Sequence, residues 1–156
     1  MIKSKFNIVL FEPEIPQNTG NIARLCACTG ANLFLVGKLG FSLSDKYVKR
    51  AGLDYWDSVN IRQVPSLDEL FEEFPNEEKY FLTTKATQSH FEANFKEGSL
   101  LVFGSETRGL PAQVIQDNFK NAFRIPMIEG QRSLNLSNSV SIVLYEAIRQ
   151  SGNITY

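Results

Sequence analysis

Three short stretches hold the side chains best suited to polar chemistry. The first is Asn18-Thr19-Gly20-Asn21-Ile22-Ala23-Arg24, with two amides and a guanidinium. On a helix, Arg24 would project about 200° away from Ile22, two residues earlier. The second is Phe103-Gly104-Ser105-Glu106-Thr107-Arg108-Gly109-Leu110-Pro111. Its two glycines flank a carboxylate and a guanidinium and permit a turn tight enough for backbone to approach a ligand. The third is Arg132-Ser133-Leu134-Asn135-Leu136-Ser137-Asn138, dense in hydroxyls and amides. Each can line a site for a polar ligand. Each also has a plainer reading: an exposed helix arginine, an ordinary turn, and capping groups at a helix start. Taken singly, the residues leave both readings open.

Other chemistries find less support. His90 is the only histidine and reads as a solvent-facing side chain rather than a base paired with a nucleophile. Cys26 and Cys28 would point about 200° apart on a helix, so they do not pair with each other. Two cysteines and one histidine do not supply a structural zinc site, and no metal is expected. The dinucleotide fingerprint Gly-x-Gly-x-x-Gly is absent, as are the phosphate loop Gly-x-x-x-x-Gly-Lys-Ser/Thr and the Gly-x-Ser-x-Gly elbow. The acidic residues between 68 and 78 read as a solvated helix face.

The elements that must carry the three stretches alternate. Asn7 to Phe11 reads as a buried strand ended by the turn Glu12-Pro13-Glu14-Ile15-Pro16. A helix follows from Asn18 or Thr19, with Ile22, Leu25, Cys26 and Thr29 on one stripe and Gly30 as its stop. Leu33 to Val36 is the second strand, and Asp45 to Ala51 a short helix bearing Lys46, Lys49 and Arg50. Ile61 to Val64 is the third strand. Ser66-Leu67-Asp68-Glu69 starts a helix that ends before Pro75. Tyr80 to Thr83, Leu100 to Phe103 and Phe123 to Ile125 complete six strands, and the last helix runs from about Asn135 to Gln150. Strands alternating with helices predict an α/β fold, a mostly parallel sheet flanked by helices. Ligands in such sheets lie beyond the carboxyl ends of the strands, which puts loops 12–20, 83–90, 104–111 and 126–135 together at one site.

Composition sets the outer bounds. The 156 residues fit one domain over 1–156, and 43% hydrophobic residues suffice for a packed core. No apolar run approaches the ~20 residues of a membrane span. No signal-peptide core is present either, which predicts a cytoplasmic protein. The net charge of -1 is unevenly spread. Residues 1–62 hold eight Lys/Arg against five Asp/Glu, residues 63–100 three against eight, and residues 101–156 five against four. A nucleic-acid partner would therefore need a local basic patch, such as Lys46, Lys49 and Arg50 beside Tyr55 and Trp56, or a surface completed by a second subunit.

In combination and in this order, the stretches resemble the SPOUT superfamily of methyltransferases. The most similar branch is the small bacterial tRNA (cytidine/uridine-34)-2'-O-methyltransferases. The resemblance spans almost the whole chain: Glu12 to Arg24, Lys49 to Trp56, Leu82-Thr83-Thr84-Lys85, Phe103 to Pro111 and Arg132 to Asn138. It implies S-adenosyl-L-methionine as cofactor and methylation of the wobble ribose of leucine tRNAs by a homodimer. It also implies a trefoil-knotted C-terminal half, which the residue pattern alone does not give, since true knots are nearly absent from folds. Carried over by position, Leu82, Gly104, Ile125 and Ser133 line the cofactor pocket. Asn18, Arg24, Glu106, Ser133 and Asn135 correspond to the polar reaction centre. Tyr145 in the last helix joins them, unless it is an aromatic packed at an interface. The final helix and the helix near 19–29 are where relatives pair. Rival readings are a non-catalytic RNA binder on the same scaffold, and an enzyme acting on ribosomal RNA or another tRNA position. A nicotinamide-dependent oxidoreductase is disfavoured by the missing glycine fingerprint.

Overall fold

The structure is a computed structural model that describes residues 1–52 and 55–156. Among the described residues, seven strands form one sheet: β1 (Asn7–Phe11), β2 (Asn32–Val36), β3 (Ile61–Val64), β4 (Lys79–Leu82), β5 (Gln88–Ser89), β6 (Leu100–Phe103) and β7 (Ala122–Arg124). Their spatial order is β3-β2-β1-β6-β4-β7-β5, and every pairing is parallel. The helices are α1 (Pro16–Thr29), α2 (Lys46–Gly52), α3 (Leu67–Glu73), α4 (Ala112–Asp117) and α5 (Leu136–Ser151).

A parallel sheet is covered on both faces, so its strands read as continuous apolar runs. Ile8, Val9 and Leu10 of β1 and all four residues of β6 are buried. Successive side chains point to opposite faces. Ile8, Leu10, Leu101 and Phe103 therefore pack with Ile22 and Cys26 of α1 and Val140, Val143, Leu144 and Ala147 of α5. Val9, Leu100 and Val102 pack with Leu67 and Leu70 of α3 and Ile115 of α4. The periodic stripes expected in α1 and α5 are the buried faces found, except that Leu25 is only partly buried.

Register brings the loops together. Leu10 of β1 and Leu82 of β4 are both level with Phe103 of β6, and Phe123 of β7 is level with Leu82. The chain therefore leaves β1, β6, β4 and β7 at nearly one height. Strand order also reverses beside β1: the chain steps outward to β2 and β3, then resumes on the other side with β6 and β4. Crevices in open α/β sheets form at such points.

Several boundaries differ from expectation. Helix α1 begins at Pro16, because proline's fixed φ and missing N–H suit the first helical position. Residue spacing does not reveal the two-residue β5 or the helix α4, since neither carries a periodic signal of useful length. β4 and β7 each begin and end one residue earlier than expected. Asn135 is the N-cap of α5 rather than its first residue. His90 is a clear correction: it is 0% exposed, not solvent-facing. Pairing of β5 with β7 draws the 3-10 turn His90–Glu92 inward, where Ala93 beyond it is tied to α5 through Gln150.

Candidate functional site

A cleft of about 740 Å³ lies beyond the carboxyl ends of β4, β6 and β7, bounded by the starts of α1 and α5. Seven of the residues singled out from the sequence line it: Asn18, Leu82, Gly104, Glu106, Ile125, Ser133 and Asn135. The expected loops supply most of its wall. Sequence reading missed Ile115, which sits on the unforeseen α4, and gave no role of their own to the apolar Leu110, Met127 and Leu134 within the expected loops. Those three carry no polar signal, and only the folded loop shows their role.

One chain of hydrogen bonds joins the three polar stretches. The Glu106 carboxylate accepts from the backbone N–H of Glu14 at 2.8 Å and of Ile15 at 2.7 Å, and from Asn18 Nδ2 at 3.1 Å. Helix α1 has no side-chain cap of its own at Ile15. The Glu106 carboxylate instead holds N–H groups at its start, where the helix dipole favours negative charge. Asn18, only 4% exposed, turns its Oδ1 to Asn135, whose Nδ2 donates at 3.1 Å. Asn135 Oδ1 in turn accepts from the backbone N–H of Ser137 and Asn138, capping α5. Residues 106, 18 and 135, far apart in sequence, thus lock loop 104–111 to the starts of both long helices.

The turn after β6 depends on one glycine. A Cβ at Gly104 would stand 2.1 Å from the Gly109 carbonyl carbon and 2.2 Å from Leu110 N, both backbone. Only glycine allows this closure, which the Ser105–Gly109 bridge completes. Beside it, Thr107 donates its hydroxyl to Glu14 Oε1 at 2.6 Å. That bond, helped by the Thr107 amide, Ser105 and Arg108 and opposed by desolvation, holds the Glu14 carboxyl below its usual range. Arg108 spans Glu12 at 3.7 Å and Glu14 at 3.9 Å.

Two expected site residues lie outside the cleft lining. Arg24 is exposed on α1, with its guanidinium carbon 5.0 Å from the centroid of the Tyr55 ring. Tyr145 is exposed on α5, next to exposed Ile142. Of the aromatic pair beside the expected basic patch, Tyr55 meets Arg24 and Trp56 packs on the core. Lys46, Lys49 and Arg50 are exposed along α2, while Leu53 and Asp54 of the same motif lie outside the described residues. Burial pushes the Cys26 thiol up to about 12 and lowers His90. Among the described residues no cluster of three His, Cys, Asp or Glu could hold a metal, and no helix is long and apolar enough to cross a membrane.

The cleft suits a ligand with apolar and polar parts. Leu82, Ile125 and Leu110 offer apolar walls, the bare Gly104 turn allows close backbone approach, and Ser133 and Thr83 offer hydroxyls. Residues 5–145 match the SpoU rRNA methylase family. The chain belongs to that family. It is 50% identical to a tRNA (cytidine(34)-2'-O)-methyltransferase of Saccharophagus degradans, across 94% of this chain and 96% of the relative. It is 46% identical to the Escherichia coli enzyme of the same name, across 94% of each. A structure solved for insights into the 2-OH methylation of C/U34 on tRNA aligns with a TM-score of 0.89 and 42% identity, over 94% of this chain and 96% of that one. The SpoU methyltransferase AviRb of Streptomyces viridochromogenes, solved in complex with the cofactor AdoMet, aligns with a TM-score of 0.80 and 25% identity. That alignment covers 96% of this chain and 59% of the other.

Proposed function

We propose that this chain is a tRNA 2'-O-methyltransferase that transfers a methyl group from S-adenosyl-L-methionine to the ribose of nucleotide 34, in the cytoplasm. The observation that carries the reading is the Glu106–Asn18–Asn135 chain of hydrogen bonds along one side of a cleft fit for a nucleoside. Relatives of about half-identical sequence bear that activity in their names. The substrate extends to leucine tRNAs by the resemblance of the motifs.

Leu82, Gly104, Ile125 and Ser133 would hold the donor, which supplies an electrophilic methyl on a sulfonium. The protein's own part is positioning. Holding nucleophile and methyl in line can contribute ~7–11 kcal/mol to the barrier reduction. Glu106 and Asn135 act by fixing the starts of α1 and α5 around Asn18. Arg24 orients the 2'-hydroxyl and an adjacent phosphate. A guanidinium offers donors and no acceptor, so the hydroxyl proton passes to phosphate or water.

In this reading a homodimer completes the site. Arg24 is outside the cleft of its own chain, and α1 and α5 expose Arg24, Ile142 and Tyr145 together with Cys28. A twofold copy seated there would bring a second Arg24 to the cleft and cover Tyr145. The single SPOUT-type domain over 1–156 would carry a trefoil knot in its C-terminal half. That reading draws on β7, which inserts between β4 and β5 before the chain returns to α5 against α1.

Purified protein incubated with labelled S-adenosylmethionine and tRNA from cells lacking this gene tests the reading. Label should appear on nucleotide 34 and nowhere else. Unlabelled tRNA would refute it.

A further inference from the structure

A second cleft of about 390 Å³ opens beside the donor cleft, where the chain leaves β1 and β2. Glu12, Glu14, Lys38, Leu39, Gly40 and Arg108 line it, and Arg108 also lines the larger cleft. Its volume falls at the small end of the ~300–1,000 Å³ usual for ligand sites. The two clefts are therefore neighbours that share Arg108 as a wall.

In the smaller cleft Glu12 is already held in place. Glu12 has φ 48, the only left-handed non-glycine residue among those described. Its side chain lies across Gly37, where an added Cβ would stand 2.8 Å from Glu12 Cγ. Lys38 N–H donates to Glu12 Oε2 at 3.0 Å. Glu12 Oε1 is left with the Arg108 guanidinium at 3.7 Å, too far for a hydrogen bond. Arg108 is 68% exposed and reaches Glu14 only at 3.9 Å. The cleft thus holds a fixed carboxylate oxygen with spare acceptor capacity and a loosely held cation with spare donors. Leu39, partly buried, adds an apolar surface.

These groups complement the Watson–Crick edge of cytosine. Its N4 amine donates to a carboxylate, and its ring acceptors take donors from a guanidinium. Bases in single-stranded RNA loops are splayed out and read on such edges. We infer that the smaller cleft holds the base of the nucleotide whose ribose enters the larger one, with Glu12 accepting from the cytosine N4 amine. The inference rests on the proposed reading of wobble-ribose methylation. Uracil presents an acceptor where cytosine presents N4, so uridine must turn to Lys38 or Arg108 and is the poorer substrate.

The test compares kcat/KM on tRNAs that differ only in C34 or U34, for wild type and Glu12→Gln. Glutamine keeps an oxygen for the Lys38 N–H but removes the charged acceptor. The C34-to-U34 ratio should fall about tenfold, in keeping with a single base contact. S-adenosylhomocysteine affinity should hold, because Glu12 does not line the donor cleft. A second arm needs no variant: wild-type enzyme acting on tRNA with N4,N4-dimethylcytidine at position 34, which lacks both N4 donors, should lose a similar factor. An unchanged ratio, or equal rates on the dimethylated substrate, overturns the base-reading role. No methylation of C34 tRNA by wild type would instead overturn the underlying functional reading.

Discussion

Replacing Glu106 by alanine removes the acceptor for three donors at once: the N–H groups of Glu14 and Ile15 and the Asn18 amide. Hydrogen bonds to a charged group contribute about 1.5–3 kcal/mol each when buried. Here the Ile15 bond is exposed and the other two are partly buried, so the low end applies. Water can also reach Ile15, which is 41% exposed, and replace part of the loss there. Asn18 is 4% exposed and has no such recourse. The summed cost is about 3 kcal/mol, and for a domain of this size that lowers Tm by roughly 6–12 °C. Glu106→Gln keeps one acceptor oxygen but turns an amide N–H toward a donor, so it should lose about half as much. Calorimetric unfolding of wild type, both variants, Asn18→Ala and the double variant Glu106→Ala/Asn18→Ala checks this. The Asn18 and Glu106 losses should be less than additive, because they share a bond. A Tm within 1–2 °C of wild type for Glu106→Ala, below the shift expected for even 1 kcal/mol, would refute the clasp.

Four further outcomes follow. Gly104→Ala places a carbon about 1.3 Å inside ordinary contact with Gly109, so it should abolish S-adenosylhomocysteine binding by titration calorimetry as well as lower Tm. Arg24→Ala should abolish methylation while leaving that binding intact, since Arg24 is not in the cleft wall; near-normal turnover would remove it from the reaction. His90 is lowered by burial from 6.5, so the unfolded chain protonates first as pH falls. Stability should be full above pH 6.5, decline below it until the folded-state value is passed, and lose that slope in His90→Phe; unfolding at pH 5.5 and 7.5 reads this. Cys26, with its thiol pushed up to about 12 and buried, should resist alkylation until the protein unfolds, as mass spectrometry of iodoacetamide-treated samples would show.

Much of this architecture was legible from residue spacing. The apolar runs at 8–10 and 100–103 announced buried parallel strands, and the stripe through Val140, Val143, Leu144 and Ala147 announced the face of α5. Weak local signals hid the rest. β5 has two residues and exists only because β7 offers it an edge. His90 looked solvent-facing because a lone polar residue says nothing about the turn that folds over it. At the site, the three polar stretches were recognisable, but their roles as mutual clamps were not. Asn135 caps its own helix, as the plainer reading of that stretch has it, and also reaches Asn18, which spacing did not reveal. Arg24 shows the opposite limit: its direction on the helix was readable, whereas its partner Tyr55, thirty-one positions away, was not.

The proposed function requires methylation at one sugar hydroxyl, that of nucleotide 34. The most direct test supplies two tRNAs that differ only at that position, one with cytidine and one with 2'-deoxycytidine, together with S-adenosylmethionine. Mass spectrometry should find a single methyl on the C34 ribose of the first and none on the second. Equal methylation of both, or a methyl placed on the base or at another nucleotide, would contradict the account.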